Sequence, residues 1–246
     1  MARGQTYRYQ SIADALRVRL TAGEFPAGRL LPSEAELSGS YDASRVTVRK
    51  ALEALRDEGL VDSRQGFGWF AAATPVPQTL ARLGTIEAQL AASGVQPQRK
   101  VLDFGFIRAP KHVRDRLGSE TVLQVRRLNL ADGSPFARVT VWVPDDLAGD
   151  LSRSTVERST LYDNLPVKVG GATQTIGAAA ASESDALLLE IPAGSPVLRC
   201  ERLTRAVDGR PVLYSEFVFP AHRTEFVVDL PHAEASMAPT GLRLVE

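Results

Sequence analysis

The sequence predicts an α+β chain built as two units, a small helical one followed by a larger antiparallel sheet domain with helices. Three observations carry this expectation. Apolar residues recur at helical spacing three times within roughly the first 60 residues, and a glycine-centred strand–turn–strand pattern follows them. Two later stretches, 122–144 (VLQVRRLNLADGSPFARVTVWVP) and 197–220 (VLRCERLTRAVDGRPVLYSEFVFP), share one layout of strand, Asp-Gly turn and strand. Between the two regions lies AAATPVP, rich in small residues and proline, which reads as a semi-stiff connector.

The first helix carries Ile12, Leu16 and Leu20 at four-residue steps, with Gly23 placed to end it. The second opens at PSEAEL, where Ser33 and Glu36 have the S-x-x-E spacing of a capping box and can satisfy orphan amides reciprocally. The third is SRVTVRKALEALRDEG, with Ser44 as N-cap and Val48, Ala51, Leu52 and Leu55 on one stripe. Only Gly39 to Ala43 separates the second helix from the third, the spacing of a helix-turn-helix. Leu60 to Arg64 then reads as a strand, Gln65-Gly66-Phe67-Gly68 as a tight turn, and Trp69-Phe70-Ala71 as the return strand of a wing. The expected divisions are 1–72 for this winged helix-turn-helix, 73–79 for the linker and 80–246 for the second domain.

In the second domain, Arg127-Leu128 aligns with Arg202-Leu203, and Asp132-Gly133 with Asp208-Gly209. Two copies suggest a pseudo-symmetric antiparallel sheet, not a solenoid. A short helix is expected before each hairpin, over 110–117 and 182–189, the second leading into the turn IPAGSP. GGATQTIGAAAAS, 170–182, lacks the lysine of a phosphate loop and reads as a strand of small residues lying against a pocket.

Composition narrows the chemistry. The chain has 246 residues with 29 basic and 29 acidic side chains, so binding to a polyanion must come from locally placed arginines. Cys200 is the only cysteine, which excludes an internal disulfide and thiolate zinc clusters and fits a reducing compartment. No signal-like or membrane-spanning run is seen, and the expectation is a cytoplasmic protein without a membrane partner. His112, His222 and His232 show no metal-ligand spacing, so neither metal nor cofactor is expected. An enzyme is the principal alternative, but no nucleophile has a visible base partner. An architectural DNA-binding protein fits poorly with zero net charge.

The basic start of the third helix poses the functional question. A recognition helix reads bases with residues near its N-terminus, where arginine suits guanine edges or phosphates and threonine a phosphate or a thymine methyl. Arginines on the wet side of an ordinary amphipathic helix would look alike; the capped preceding helix, the short turn and the glycine wing together favour DNA. With LPSE, SR-x-TVR-x-AL-x-x-L, EGL and R-x-G-x-G in order, residues 31–70 resemble the N-terminal domain of the GntR family of bacterial transcription regulators. The resemblance implies that Glu34, Ser44, Arg45, Thr47 and Arg49 line the DNA-facing surface, with Arg64, Gln65 and Gly66 on the wing. Two departures stand out: Ala35 sits where many members carry a basic residue, and Trp69 replaces a threonine, which should alter packing at the wing base.

RRLNLADGSPFA, LYDNL and the second hairpin through Phe226 resemble the UTRA effector domain of the HutC subgroup, whose fold is chorismate-lyase-like. The resemblance implies a homodimer that binds double-stranded operator DNA under control of a small-molecule effector, with no catalysis. It places Thr85, Arg127, Thr160 and Tyr162 at the effector pocket, with Tyr214, Glu216 and Phe219 on or near the strand that closes it. Asn129 replaces a second arginine of phosphosugar-binding members, and Val139 a glutamate that would contact sugar hydroxyls. Losing one guanidinium fork points to an effector with a single carboxylate, or a less polar one, in place of an amino-sugar phosphate. The residues alone leave other roles open: Arg127 could pair with Glu201, and Tyr162 and Tyr214 could serve packing.

Overall fold

Helix α1 (Arg8–Thr21) packs its stripe of Ile12, Ala13 and Leu16 onto α3 (Arg45–Asp57) in this computed structural model, which describes residues 7–73, 75–79 and 84–228. Thr74 of the expected linker, His232 and the end of the expected second domain lie outside the described residues. Between these helices comes α2 (Glu34–Ser40), started by the capping box: the Glu36 amide donates to Ser33 Oγ at 3.2 Å, and the Ser33 amide to Glu36 Oε2 at 2.7 Å. Ser44 caps α3 by accepting from the Thr47 amide at 3.2 Å. Val48, Leu52 and Leu55 are fully buried against Leu16 and Leu37, each contributing roughly 1.5–3 kcal/mol of apolar burial. The wing is β1 (Val61–Arg64) paired antiparallel with β2 (Gly68–Ala71), in register Arg64↔Gly68.

The connector is more ordered than its composition implies. Its distal part is a strand, β3 (Val76–Thr79), where prolines and small residues suggested only a stiff coil. Its partner lies far along the chain, so no local pattern could reveal it.

The second domain runs through α4 (Ile86–Ala92), β4 (Pro97–Arg108), α5 (Lys111–Leu117), β5 (Thr121–Ala131), β6 (Ser134–Pro144), α6 (Arg153–Arg158), β7 (Val169–Ala180), α7 (Glu183–Leu189), β8 (Pro196–Ala206), β9 (Pro211–Pro220) and β10 (Thr224–Val227). Strands β4 to β9 form one antiparallel sheet in the order β4-β5-β6-β9-β8-β7, while β10 pairs in parallel with β3 outside it. The near-repeat is therefore a β–α–β–β unit used twice, joined where β6 meets β9 and pairs Thr140 with Glu216. The first hairpin turns at Asp132 and Gly133, both with positive φ (49° and 79°), the geometry that makes Asp-Gly a hairpin signal. Helices α5 and α7 cover one face of the sheet. The other face carries the main core, with Leu123, Val125, Phe136, Val139 and Val141 under α4 and α6.

Candidate functional site

Two surfaces gather the residues singled out by sequence. On the winged domain, the exposed start of α3 presents Arg45 and Val46, with Thr47 half-buried between them and the domain core. Ser44 Oγ and Thr47 Oγ1 lie 2.8 Å apart, so the cap orients the threonine hydroxyl. Arg49 forms a fork on Glu34, Nε to Oε1 at 2.9 Å and Nη2 to Oε2 at 2.7 Å. That fork holds the Glu34 carboxyl below its usual range against the opposing effect of burial. Trp69 Nε1 donates to the same Oε1 at 3.1 Å, so the departure from threonine puts an indole in the winged core and fixes Glu34.

At the wing, Gln65 and Gly66 are exposed at the tip, with Gly66 at φ 81°. Arg64 is placed differently from the expectation of a wing residue reaching outward. Its guanidinium lies 4.7 Å from the centroid of the Phe70 ring, half-buried, and burial lowers its pKa. The cause is strand geometry: Arg64 ends β1 beside an aromatic side chain of β2, which offers a cation–π contact.

The second surface is a cavity on the core face of the large sheet. Its cavity volume is about 40 Å³, within an indentation of about 650 Å³ that includes open solvent at the mouth. Thr85, Arg127, Thr160, Tyr162 and Phe219 all line it. Arg127 is 9% exposed, and its Nε and Nη1 are buried without a hydrogen-bond partner among the described residues. Burial, reinforced by the charge of Arg99, pushes its pKa down to about 10. The alternative pairing with Glu201 does not occur, since that carboxylate pairs with Arg116 at 3.5 Å. Thr85 Oγ1 caps α4 by accepting from the Ala88 amide at 3.2 Å, and Thr160 Oγ1 donates to Asp163 at 2.6 Å.

Three expected residues sit elsewhere. Tyr214 and Glu216 point to the opposite face of the sheet, because β9 alternates and Leu213, Ser215, Phe217 and Phe219 take the cavity side. There Tyr214 stacks on Trp142 at 5.6 Å between ring centroids, and Glu216 meets His112 at 3.3 Å. Asn129 is fully buried beside the cavity, not on its lining, and donates to Glu87 Oε1 at 2.6 Å. Arg99 also binds that oxygen, at 2.6 Å. Burial opposes ionisation of Glu87, but the Arg99 bond and the Arg127 and Arg99 charges outweigh it and hold the carboxyl at about 2.

The cavity also recruits residues outside the set expected from sequence. Arg99 comes from β4, Gln174 from β7 and Phe226 from β10, none of which a local pattern ties to Arg127. Arg202 had a signal, because the near-repeat aligns it with Arg127 and the pseudo-symmetry brings both to one cavity. Its guanidinium lies 5.1 Å from the Phe217 ring centroid and donates to Gln174 Oε1 at 2.7 Å and to the Tyr162 hydroxyl at 3.3 Å. Among the described residues the cavity thus has two guanidiniums without a carboxylate partner, an aromatic wall and no acid in its lining, a setting for an anion with an apolar body.

Comparison with known proteins bears directly on both surfaces. The profile described as "Bacterial regulatory proteins, gntR family" matches residues 8–71, and that of the UTRA domain matches residues 92–225. The chain belongs to the GntR family. Its pairing of a GntR helix-turn-helix with a UTRA domain is the HutC-type architecture. It is 35% identical to the HTH-type transcriptional regulator Rv0792c of Mycobacterium tuberculosis, an alignment covering 94% of this chain and 88% of the relative. It is 29% identical to the HTH-type transcriptional repressor NagR of Bacillus subtilis, covering 89% and 93%. The crystal structure of PhnF from Mycobacterium smegmatis shares the fold with a TM-score of 0.59 at 22% identity, covering 90% of this chain and 99% of that one. This GntR-family protein is a DNA-binding transcription regulator with an effector-binding domain, not an enzyme. No helix among the described residues is long and apolar enough to cross a membrane, and no group of potential ligands among them is arranged to hold a metal ion.

Proposed function

We propose that the protein is a cytoplasmic, homodimeric repressor whose operator affinity is set by a small organic acid bound in the cavity at Arg127. The observation that carries the sensor half of this reading is Arg127 itself. A buried guanidinium with two unpartnered nitrogens is costly unless an anion completes it. The proposed division of labour is 1–72 for DNA, 73–79 for the connector and 80–246 for effector binding and dimerisation. Arg127 anchors the carboxylate, Arg202 and Tyr162 flank it, and Thr85, Thr160 and Phe219 complete the lining.

For the DNA half, Arg45, Thr47 and Arg49 read or clamp the major groove, Ser44 and Glu34 orient them, and Gln65 and Gly66 bring the wing backbone to a phosphate. Arg64 joins them only when its guanidinium leaves Phe70. Two copies would set their α3 helices into successive major grooves, about 34 Å apart, on a near-palindromic site. The repressor assignment follows the named repressors among its relatives, NagR included.

Selection of the bound sequence from random duplexes, followed by footprinting, tests this reading. Two protected half-sites and release by an acid from a metabolite panel support it. A single unpaired site, or protection that no acid alters, contradicts it.

A further inference from the structure

We propose that residues 221–227 form a mechanical link between the effector cavity and the DNA-binding unit, so that opening the cavity at Phe226 releases a clasp on Gly28. The inference rests on the cavity reading above and names how that site is coupled to DNA. One end of the segment grips the winged domain. His222 Nε2 lies 2.9 Å from the Gly28 carbonyl oxygen, which can only accept, so Nε2 carries the proton and donates. The other ring nitrogen, Nδ1, is buried without a partner among the described residues.

Around this bond the two domains fit closely. The Phe70 ring lies 5.7 Å from the His222 ring and is 2% exposed, although its neighbours Trp69 and Ala71 are the ones that enter the winged core. Arg29 pairs with the Glu190 carboxylate, and its Nη1 donates to the Glu190 carbonyl at 3.3 Å. Gly28 has φ 76°, and a Cβ there would stand 2.8 Å from Arg223 Cδ, so the clasp closes onto bare backbone. Arg223 in turn donates to the Pro135 carbonyl at 2.7 Å, which anchors the grip to the large sheet.

The other end of the segment enters the cavity. Phe226 lines it, with its ring 5.7 Å from Phe219 at 84°. The cavity volume of about 40 Å³ is far below the roughly 300–1,000 Å³ of an ordinary small-molecule pocket, so seating a larger acid at Arg127 calls for a wall to move. Phe217 and Phe219 sit on β9, paired on both sides in the middle of the six-stranded sheet. Phe226 sits on a four-residue strand whose partner is the four-residue β3, outside that sheet. It is the strand-borne wall that can yield most easily. Its movement displaces β10, the turn that holds His222 and Arg223, and β3, which leads back to the wing.

Hydrogen exchange of the full-length protein tests the link from both ends, without a ligand. The wild type is compared with Gly28→Ala, whose added Cβ would stand 2.8 Å from Arg223 Cδ and 3.2 Å from His222 Nε2 and so pries the clasp open from the winged side, with Phe226→Ala, and with Ile176→Ala on the outer strand as a control. Phe226→Leu serves if the alanine variant fails to fold. Cutting the clasp should raise exchange over 224–227 and 76–79 by ~5- to 150-fold, the range of ordinary coupling between sites. The Phe226 variant should loosen 26–31 and 68–71 reciprocally, and Ile176→Ala should change neither. Exchange changes confined to each variant's own domain overturn the link. Binding of an acid at Arg127 with uncoupled exchange would overturn the link and leave the sensor reading standing. Coupled exchange in a protein that binds no acid would do the reverse.

Discussion

Acidification should weaken the contact between the two domains through His222. Burial pushes its imidazole down from 6.5 to about 4; the bond to Gly28 opposes this, Arg64 and Arg223 add to it, and Asp62 works against it. Those groups, with Phe70, are what face the ring from the wing and from its own turn. A histidine with a depressed docked pKa contributes stability that is present above 6.5 and lost as pH falls through 6.5 towards about 4. The full span corresponds to about 3 kcal/mol. Between pH 7 and pH 5 the exposed imidazole becomes mostly charged while the docked one stays mostly neutral. This weakens docking roughly 20-fold, or about 2 kcal/mol. Urea unfolding of wild type and His222→Gln at the two pH values reads this directly, because glutamine keeps a donor near Nε2 but does not titrate. Wild type should lose about 2 kcal/mol more than the variant on acidification. Equal losses in the two proteins would refute the reasoning.

Two further predictions concern the winged domain. Arg45→Ala should weaken operator binding by ~1–3 kcal/mol in fluorescence anisotropy, with the circular dichroism spectrum and oligomeric state unchanged. Ser33→Ala removes the hydroxyl's two bonds to Glu36, at 2.7 and 3.2 Å, while leaving the Ser33 amide on Glu36 Oε2, and should lower unfolding free energy by ~1 kcal/mol. An unchanged denaturation midpoint would show that α2 is held by Leu37 packing alone.

Local signals carried much of this architecture. Helical periodicity and the caps at Ser33 and Ser44 located α2 and α3, and the two Asp-Gly turns located both central hairpins. The helices before the hairpins, read as 110–117 and 182–189, occur as Lys111–Leu117 and Glu183–Leu189. What local pattern cannot carry is the facing of a strand buried on both sides. Nearly every residue of β9 is buried, so nothing in its sequence says that Phe219 faces the cavity and Tyr214 the α5 side. Residues brought from distant strands were equally hidden. Arg99 and Phe226 reach Arg127 only through tertiary pairing, and β3 is a strand only because β10 lies beside it. Asn129 aligns with a ligand position of the family, yet its buried amide positions Glu87 against Arg99.

The central claim is that an acid at Arg127 governs DNA binding, and anisotropy of labelled operator DNA during titration tests it most directly. The titrant is the acid that most raises the melting temperature of the wild type, applied in parallel to Arg127→Met, which removes the guanidinium and keeps an apolar side chain of similar length. Wild type should release the operator as the acid is added, while Arg127→Met binds DNA normally and stays bound throughout. Equal release from both proteins would contradict the account.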